Sequence, residues 1–560
     1  MKKLIIIFIL CLGTLCAEAQ QTLHSSYFLK RMPMRHKLNP ALINDYGYFS
    51  IPMLGNVNIG VQSNLSFKNF IYPTNDGNLM TFMHQDVSAD EFLDNIKNYN
   101  SVEMNVDMAI LSFGFFGFKG YNTFDISLRS HTGIYIPEDL FRFMKLGMDN
   151  ENGNSYRLRN FNMKTDNYVE LALGHAHQIN DKLTIGAKLK FLAGVANIRA
   201  KIHQMDITLS EDKWEIMANG QMDASVLGAS LKTKASGEID DFDFDIDKPA
   251  LSGWGLGTDL GATYKLMDEL TLSAAVVDLG FIRWNKNLRG ATRNDESFLF
   301  DGFDEIDIND DSSIDDQWDD IADQLEDMVR FYETDAPSSR STSLRTTLNI
   351  GAEYSILNDK ISFGLLSSTR FSSPKTWTEI VGSANFRPAS WFNVAFTGTL
   401  SNYGPNWGWV LNLCPRGFNF FIGTDHMVTR LTPQYIPTKN ATVNLNFGLN
   451  VPMGGPIRQA RKMAKREDRA LRREAKAVKN MQDYEAKALK EMQDHEGLQE
   501  SADTLQNNRK SKEVNTEEDT PVESVQANAG TNFTGNGIMN TNSPFYTEET
   551  NKKSTKNRRY

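Results

Sequence analysis

The side chains of this chain best placed to do chemistry are charges set two residues apart inside runs of alternating apolar residues. Asp107, Asp125, Arg129, Glu170, Lys188, Lys190, Asp259, Lys265, Arg345 and Glu353 all share this setting. In a strand, period 2 puts such charges on the face opposite the apolar one. Because both signs occur, opposite charges are expected to pair across an enclosed interior, which argues against a wide, strongly ion-selective pore. Ion pairs that fill the interior are the first reading and a substrate path the second.

Other candidates are weaker. His175 and His177 lie on one face without a third ligand nearby, too few for a metal centre, and read as interfacial histidines. Gly253, Gly255, Gly257 and Gly261 imitate a nucleotide-binding fingerprint, but no helix follows, so they read as small residues on an interior face. In the acidic stretch 301–335, Asp307, Asn309 and Asp311 suggest a calcium loop. Ser312 stands where glycine is needed and Trp318 where the bidentate glutamate belongs, so this is not an EF-hand. Trp318, Ile321, Leu325, Met328 and Val329 have helical spacing and predict a short amphipathic helix over the mouth of the fold. No nucleophile, base and orienting residue assemble from neighbouring motifs, so neither an enzyme nor a cofactor or metal site is expected.

The elements that must position these charges are hairpins. In 168–191, Val169, Leu171 and Leu173 alternate with Glu170, Ala172 and Gly174. A polar turn, Asn180-Asp181-Lys182, follows, then Leu183, Ile185, Ala187, Leu189 and Phe191 alternate with Gly186, Lys188 and Lys190. The same grammar returns at 256–276, 346–366 and 382–400. Short turns alternate with long connections near 67–101, 137–166, 199–252 and 285–342. Such alternation predicts an all-β fold: a transmembrane, antiparallel, up-and-down β-barrel of about fourteen strands over 56–451, with short turns periplasmic and long loops outward. Asp278-Leu279-Gly280 breaks the parity of its strand and predicts a bulge. Trp254, Trp284, Trp377, Trp407 and Trp409 fall where strands meet the long loops and Trp391 at a short turn, a placement that predicts an aromatic girdle.

Mean hydropathy is negative and hydrophobic content 40%, which excludes a polytopic helical membrane protein. The apolar run from Leu4 to Cys16 is too short to span a bilayer and, after Lys2-Lys3 and before Ala17-Glu18-Ala19, reads as a signal peptide over 1–19. With it removed, Cys414 is the only cysteine left, so no intramolecular disulfide is expected. The net charge of −11 argues against nucleic acid as a partner. Residues 20–55 lack periodicity and read as an ordered coil. Pro452 and Pro456 end the sheet. A charged, helix-forming stretch follows to 496, and 497–560 has a disordered composition.

The signal peptide, Asn39-Pro40-Ala41, the strand count and the turns at Asn180-Asp181-Lys182 and Asn358-Asp359-Lys360 resemble the long-chain fatty acid transporter superfamily of outer-membrane barrels. More closely, the chain resembles the exported barrels of domain of unknown function 5723, which are related to the barrel component of type IX secretion. The resemblance covers roughly 22–451. It implies that 20–55 forms a plugging hatch, with Asn39, Pro40 and Ala41 as its motif, and that hydrophobic small molecules are bound or passed. The alternative is a non-transporting structural or assembly barrel, part of a secretion or surface complex. Its tail, 457–560, would bind a periplasmic protein. Either reading places the barrel in outer-membrane lipid with both ends periplasmic.

Overall fold

The computed structural model describes residues 23–73, 79–148, 155–210, 214–226, 228–244, 251–285, 287–292, 298–300, 329–427, 442–454, 472–491 and 505–506. The chain divides into two compact units, 1–465 and 466–560. The signal segment and the stretch 301–328, with Trp318, Ile321, Leu325 and Met328, lie outside the described residues.

The first unit is a closed antiparallel barrel of fourteen strands. Its first strand comes in two pieces, Gly47–Ser50 and Val57–Ser63. The next six are Tyr99–Gly117, Gly120–Pro137, Ser155–Gln178, Leu183–Leu209, Gly253–Lys265 and Leu270–Trp284. The eighth combines Arg340–Ser343 with Thr347–Ile356, and Ile361–Arg370, Trp377–Ala389, Phe392–Ser401, Gly404–Leu413, Asn419–Thr424 and Val443–Met453 complete the ring. Both pieces of the first strand pair with the last, Gly47 opposite Met453 and Val57 opposite Phe447, so no edge is left.

Alternation decides which way each residue faces. In Leu183–Leu209, Ile185, Leu189 and Phe191 are exposed on the outside, whereas Gly186, Lys188 and Lys190 are buried inside. In the last strand, Asn444, Asn446 and Asn450 are buried while Leu445 is exposed. The outer surface is therefore a band of large apolar side chains, more than an ordinary soluble surface carries.

Four features depart from the sequence reading. The barrel begins at Gly47, not near 56, because Ile51 to Asn56 interrupts an alternation too short to be seen. The fourth and fifth strands continue past the barrel. With Trp214–Val226, Leu288–Ala291, Phe298–Phe300 and Tyr332–Glu333 they form a sheet beyond the long-loop end, where loops were expected. Nine residues after the third strand, Glu138–Leu146, form a helix whose Leu140 and Phe143 pack on that sheet. The hairpin at Gly117–Gly120 turns on Phe118 and Lys119, with φ of 52° and 61°, a geometry usually given to Asn-Gly, so composition could not mark its type.

The second unit contains a helix over 472–491 with every residue exposed.

Candidate functional site

Residues 23–46 enter the barrel as a chain of 3-10 turns, His24–Ser26 and Pro33–Lys37, joined by irregular backbone. The segment is two-sided. Tyr27, Phe28, Leu38 and Leu42 pack on Leu366 and Val381, and Leu23, Leu29, Met32 and Met34 pack with Ala395, Val410 and Phe421, all inward-facing residues of the ninth to thirteenth strands. Its polar groups meet the opposite wall. Lys37 Nζ lies 2.9 Å from Asp107 and 3.1 Å from Ser127, and His36 joins Lys188 Nζ at 2.6 Å and the Tyr48 hydroxyl at 2.7 Å.

Asn39, Pro40 and Ala41 sit where the wall is made of glycine. A Cβ at Gly186 would lie 2.4 Å from the Pro40 carbonyl oxygen, and one at Gly261 2.1 Å from Asn39 Oδ1. These two glycines face each other on adjacent strands. With the chain so close, Asn39 Oδ1 accepts from the Ala41 amide at 2.9 Å, and Asn39 Nδ2 donates to the Tyr27 hydroxyl at 3.1 Å. The glycines at 253–261 are thus partly a seat for a second chain segment.

Both ends of the segment are tied down. The amides of His24 and Ser25 donate to the Asp425 carboxylate at 2.7 and 2.8 Å, and the His24 ring meets Glu379. At the short-turn end, Lys30 reaches Asp359 at 2.6 Å, and Arg31 meets the Ser390 carbonyl. Burial alone would raise the Asp359 carboxyl, but the Lys30 ammonium holds it below the ordinary carboxylate range.

Beside the segment the charges form one network. Lys190 lies 2.7 Å from Asp259, 2.5 Å from Asp278 and 3.6 Å from Glu170. Arg129 reaches Glu170 at 3.3 Å, Asp107 at 3.7 Å and Asp278 at 3.9 Å. Lys188 and Asp125 pair at 3.3 Å, and Glu353 accepts from Arg387 at 2.7 Å. Asp107, Asp125, Glu170, Lys188, Lys190, Asp259 and Glu353 are all buried, while Arg129 and Arg345 are half-buried. Lys265 does not join them, because its ammonium stands at the rim, 2.9 Å from Asp268 of the adjoining turn.

The tryptophans divide. Trp254, Trp391 and Trp407 are about half exposed or more, at 48%, 51% and 64%, and Trp409 is half-buried beside Trp407. Trp284 and Trp377 are buried instead, which corrects the expectation that they belong to an outer girdle. Asp278, at φ 58°, forms a bulge that shifts the register opposite Thr258–Leu260, so Trp284 turns inward and donates to Thr342 Oγ1 at 3.0 Å. Trp377 shares the inward face of Glu379 and Val381, and its ring packs on Tyr403 at 4.5 Å.

Two spaces remain above the segment. A cavity of about 90 Å³ is bounded by His24, Lys37 and Leu38 of the segment and by wall residues including Asp107, Arg129, His131, Asp278, Arg345 and Arg370. A vestibule of about 870 Å³ lies toward the long-loop end, between Tyr99, Tyr135, Lys164, Arg199 and Phe371. Thr342, Ser343, Leu344 and Arg345 line both. Sequence parity missed Arg370 and Glu379, although each shares a face with small inward residues, Ser368 and Ser383. It also missed the segment's His24, His36 and Lys37, which carry no periodic signal. Among the described residues no cluster of His, Cys, Asp and Glu has a metal-binding arrangement.

The chain is similar in shape to three solved barrels, all at low identity. The toluene transporter TbuX of Ralstonia pickettii is 9% identical, covering 75% of this chain and 93% of that one, with a TM-score of 0.36. A FadL homologue of Pseudomonas aeruginosa is 10% identical, covering 78% and 99%, with a TM-score of 0.36. The translocator domain of the autotransporter NalP from Neisseria meningitidis is 6% identical, covering 73% and 88%, with a TM-score of 0.27. No curated protein matches the sequence. Residues 40–425, from the Pro40 seat to the Asp425 anchor and so most of the chain, match the family of unknown function DUF5723, and the protein belongs to that family.

Proposed function

We propose that the protein is an outer-membrane barrel, its short turns and both ends periplasmic, that binds or passes small molecules when residues 23–46 rearrange. The observation that carries this reading is the vestibule narrowing to a cavity whose floor is the segment itself, at His24, Lys37 and Leu38. The exposed apolar band, with Trp254, Trp391 and Trp407, supports the membrane setting. In this reading Asn39, Pro40 and Ala41 are the seat of the hatch, and the buried charges are the partners that hold it shut.

Hydrophobic small molecules are the ligand class proposed for the wall. Beside the cavity the ladder is irregular at Asp278 and again at 344–346, with Leu256, Leu279 and Phe281 outside and Ile282 and Leu344 inside. A lateral exit for an apolar solute fits there. The test is uptake of toluene or a fluorescent fatty acid into proteoliposomes, comparing the full chain with one lacking residues 23–46. Uptake that rises on deletion supports the reading; equal, background uptake by both would sink it.

The second reading is an assembly barrel. It rests on the helix over 472–491, whose Val478, Met481, Tyr484 and Leu489 are all exposed and would suit a periplasmic protein partner. Crosslinking from Tyr484 in cells would recover one defined protein if this reading holds and none if it fails.

A further inference from the structure

We propose that the inner cavity is a binding site for a small hydrophilic oxyanion, of the phosphate, sulfate or short carboxylate class, held by Arg345 and Arg370. Four permanent cations line this cavity: Lys37, Arg129, Arg345 and Arg370. Two are neutralised, Lys37 by Asp107 and Arg129 by Asp107, Glu170 and Asp278. The acids of the lining are used up in the same way, since Asp278 is also held by Lys190, and Asp166 by Lys164 at 2.8 Å.

Arg345 and Arg370 are left over. Among the described residues neither guanidinium has a hydrogen-bond partner or a carboxylate within ion-pairing distance, and Nη1 of each is buried without a partner. Arg370 is only 8% exposed, so water screens it poorly. Of the nearby buried acids, Glu379 is engaged by His24 and Glu103 forms no ion pair with Arg370 among the described residues. A buried charge of this kind calls for a counter-charge. Two planar guanidinium forks converging on one space match the oxygens of an oxyanion.

The remaining lining agrees. His131 keeps Nδ1 on Asn105 Oδ1 at 2.9 Å, while Nε2 has no partner. Asn58 and Asn349 also have unpartnered amide atoms, so donors and acceptors are free around the pair. A volume of about 90 Å³ admits a few waters or one such ion. Entry is from the vestibule, past Thr342 to Arg345, which lines both spaces.

This inference rests on the proposed route only in naming what its inner chamber holds, and binding is measured apart from passage. Full-length protein in detergent micelles is titrated with phosphate, sulfate and acetate by calorimetry. Saturable binding at a single site is expected, weakened about tenfold or more by Arg345→Gln or Arg370→Gln and unchanged by Lys232→Gln, on the separate hairpin of Ala229–Thr233 and Ile239–Phe244. In the wild-type protein, saturating phosphate should also protect Arg345 and Arg370 from phenylglyoxal, read by mass spectrometry, so the test stands even where a variant does not fold. No saturable binding, binding equally tight in both folded variants, or no protection would overturn the site. Binding without any solute uptake by the proteoliposomes would uphold the site and overturn the route.

Discussion

A Cβ atom at Gly261 would fall 2.1 Å from Oδ1 of Asn39, so this wall glycine and this segment asparagine are shaped to one another. A side chain at 261 cannot be met by a small shift, because Pro40 Cδ stands 2.9 Å away on the same side. We expect Gly261→Val to unseat residues 39–41 while leaving the barrel closed. Trypsin should then cut at Lys30 and Arg31 in the folded protein, and single-channel conductance should rise. Gly382→Ala is the control, since its nearest neighbouring atom is 3.9 Å away. Equal resistance to trypsin in both variants would refute the seat.

The Lys37–Asp107 pair has both side chains below 10% exposure, at 2% and 9%. Removing one partner of such a pair leaves a buried charge behind, at a cost of about 3–5 kcal/mol. Lys37→Met should lower the unfolding midpoint accordingly. Asp107 keeps Arg129 at 3.7 Å, so the loss should fall at the lower end, and Lys37→Met with Asp107→Asn should recover part of it. Denaturant unfolding followed by heat-modifiable gel mobility measures this; a double variant no better than the single one would speak against the pairing.

Lys30 and Asp359 form a more exposed pair, 35% and 51%, and screening limits it to about 0–1 kcal/mol. The Asp359 carboxyl titrates below its ordinary value of 3.8. A depressed carboxylate contributes its stability above the unfolded value and loses it as pH falls through the lower folded one. Protection of Lys30 from acylation, or exchange of the 27–32 amides, should therefore be unchanged from neutral pH down to about 4 and should weaken only below that. Asp359→Asn should abolish the acid dependence, and a loss already evident near neutrality would assign it to another group.

Brominated lipids quench indoles that touch acyl chains. In proteoliposomes Trp407→Phe and Trp254→Phe should each remove quenchable emission, since both rings lie on the outer face. Trp284→Phe and Trp377→Phe should remove only unquenched emission. Quenching of Trp284 would mean that the bulge at Asp278 does not turn it inward.

The barrel was legible because period-2 alternation repeats in nearly every strand, and an apolar outer face opposite a polar inner one forces that pattern. Strand positions such as 253–265 and 270–284 could be read within a residue or two for this reason. Parity failed where the chain breaks it: past the bulge at Asp278, Trp284 follows the opposite face from the one a uniform count assigns. The hatch partners were illegible because His24, His36 and Lys37 sit in 3-10 turns, whose side-chain directions follow no period. Wall glycines such as Gly186 and Gly261 look like ordinary interior small residues until the segment that fills their space is known. Arg345 was marked by its alternation, but its lack of a counter-charge is a three-dimensional fact.

The first strand lies directly after the segment that fills the lumen, and it pairs with the last strand of the ring, Gly47 opposite Met453 and Val57 opposite Phe447. The closing seam thus joins residues separated by nearly the whole barrel sequence, the pairing with the longest loop to close in the ring. Until that seam zips, the N-terminal segment can swing in through an open side; afterwards the wall surrounds it. Packing of the segment can therefore accompany assembly of the ring, whereas a chain that closes empty has only the ends of the barrel through which it can be filled.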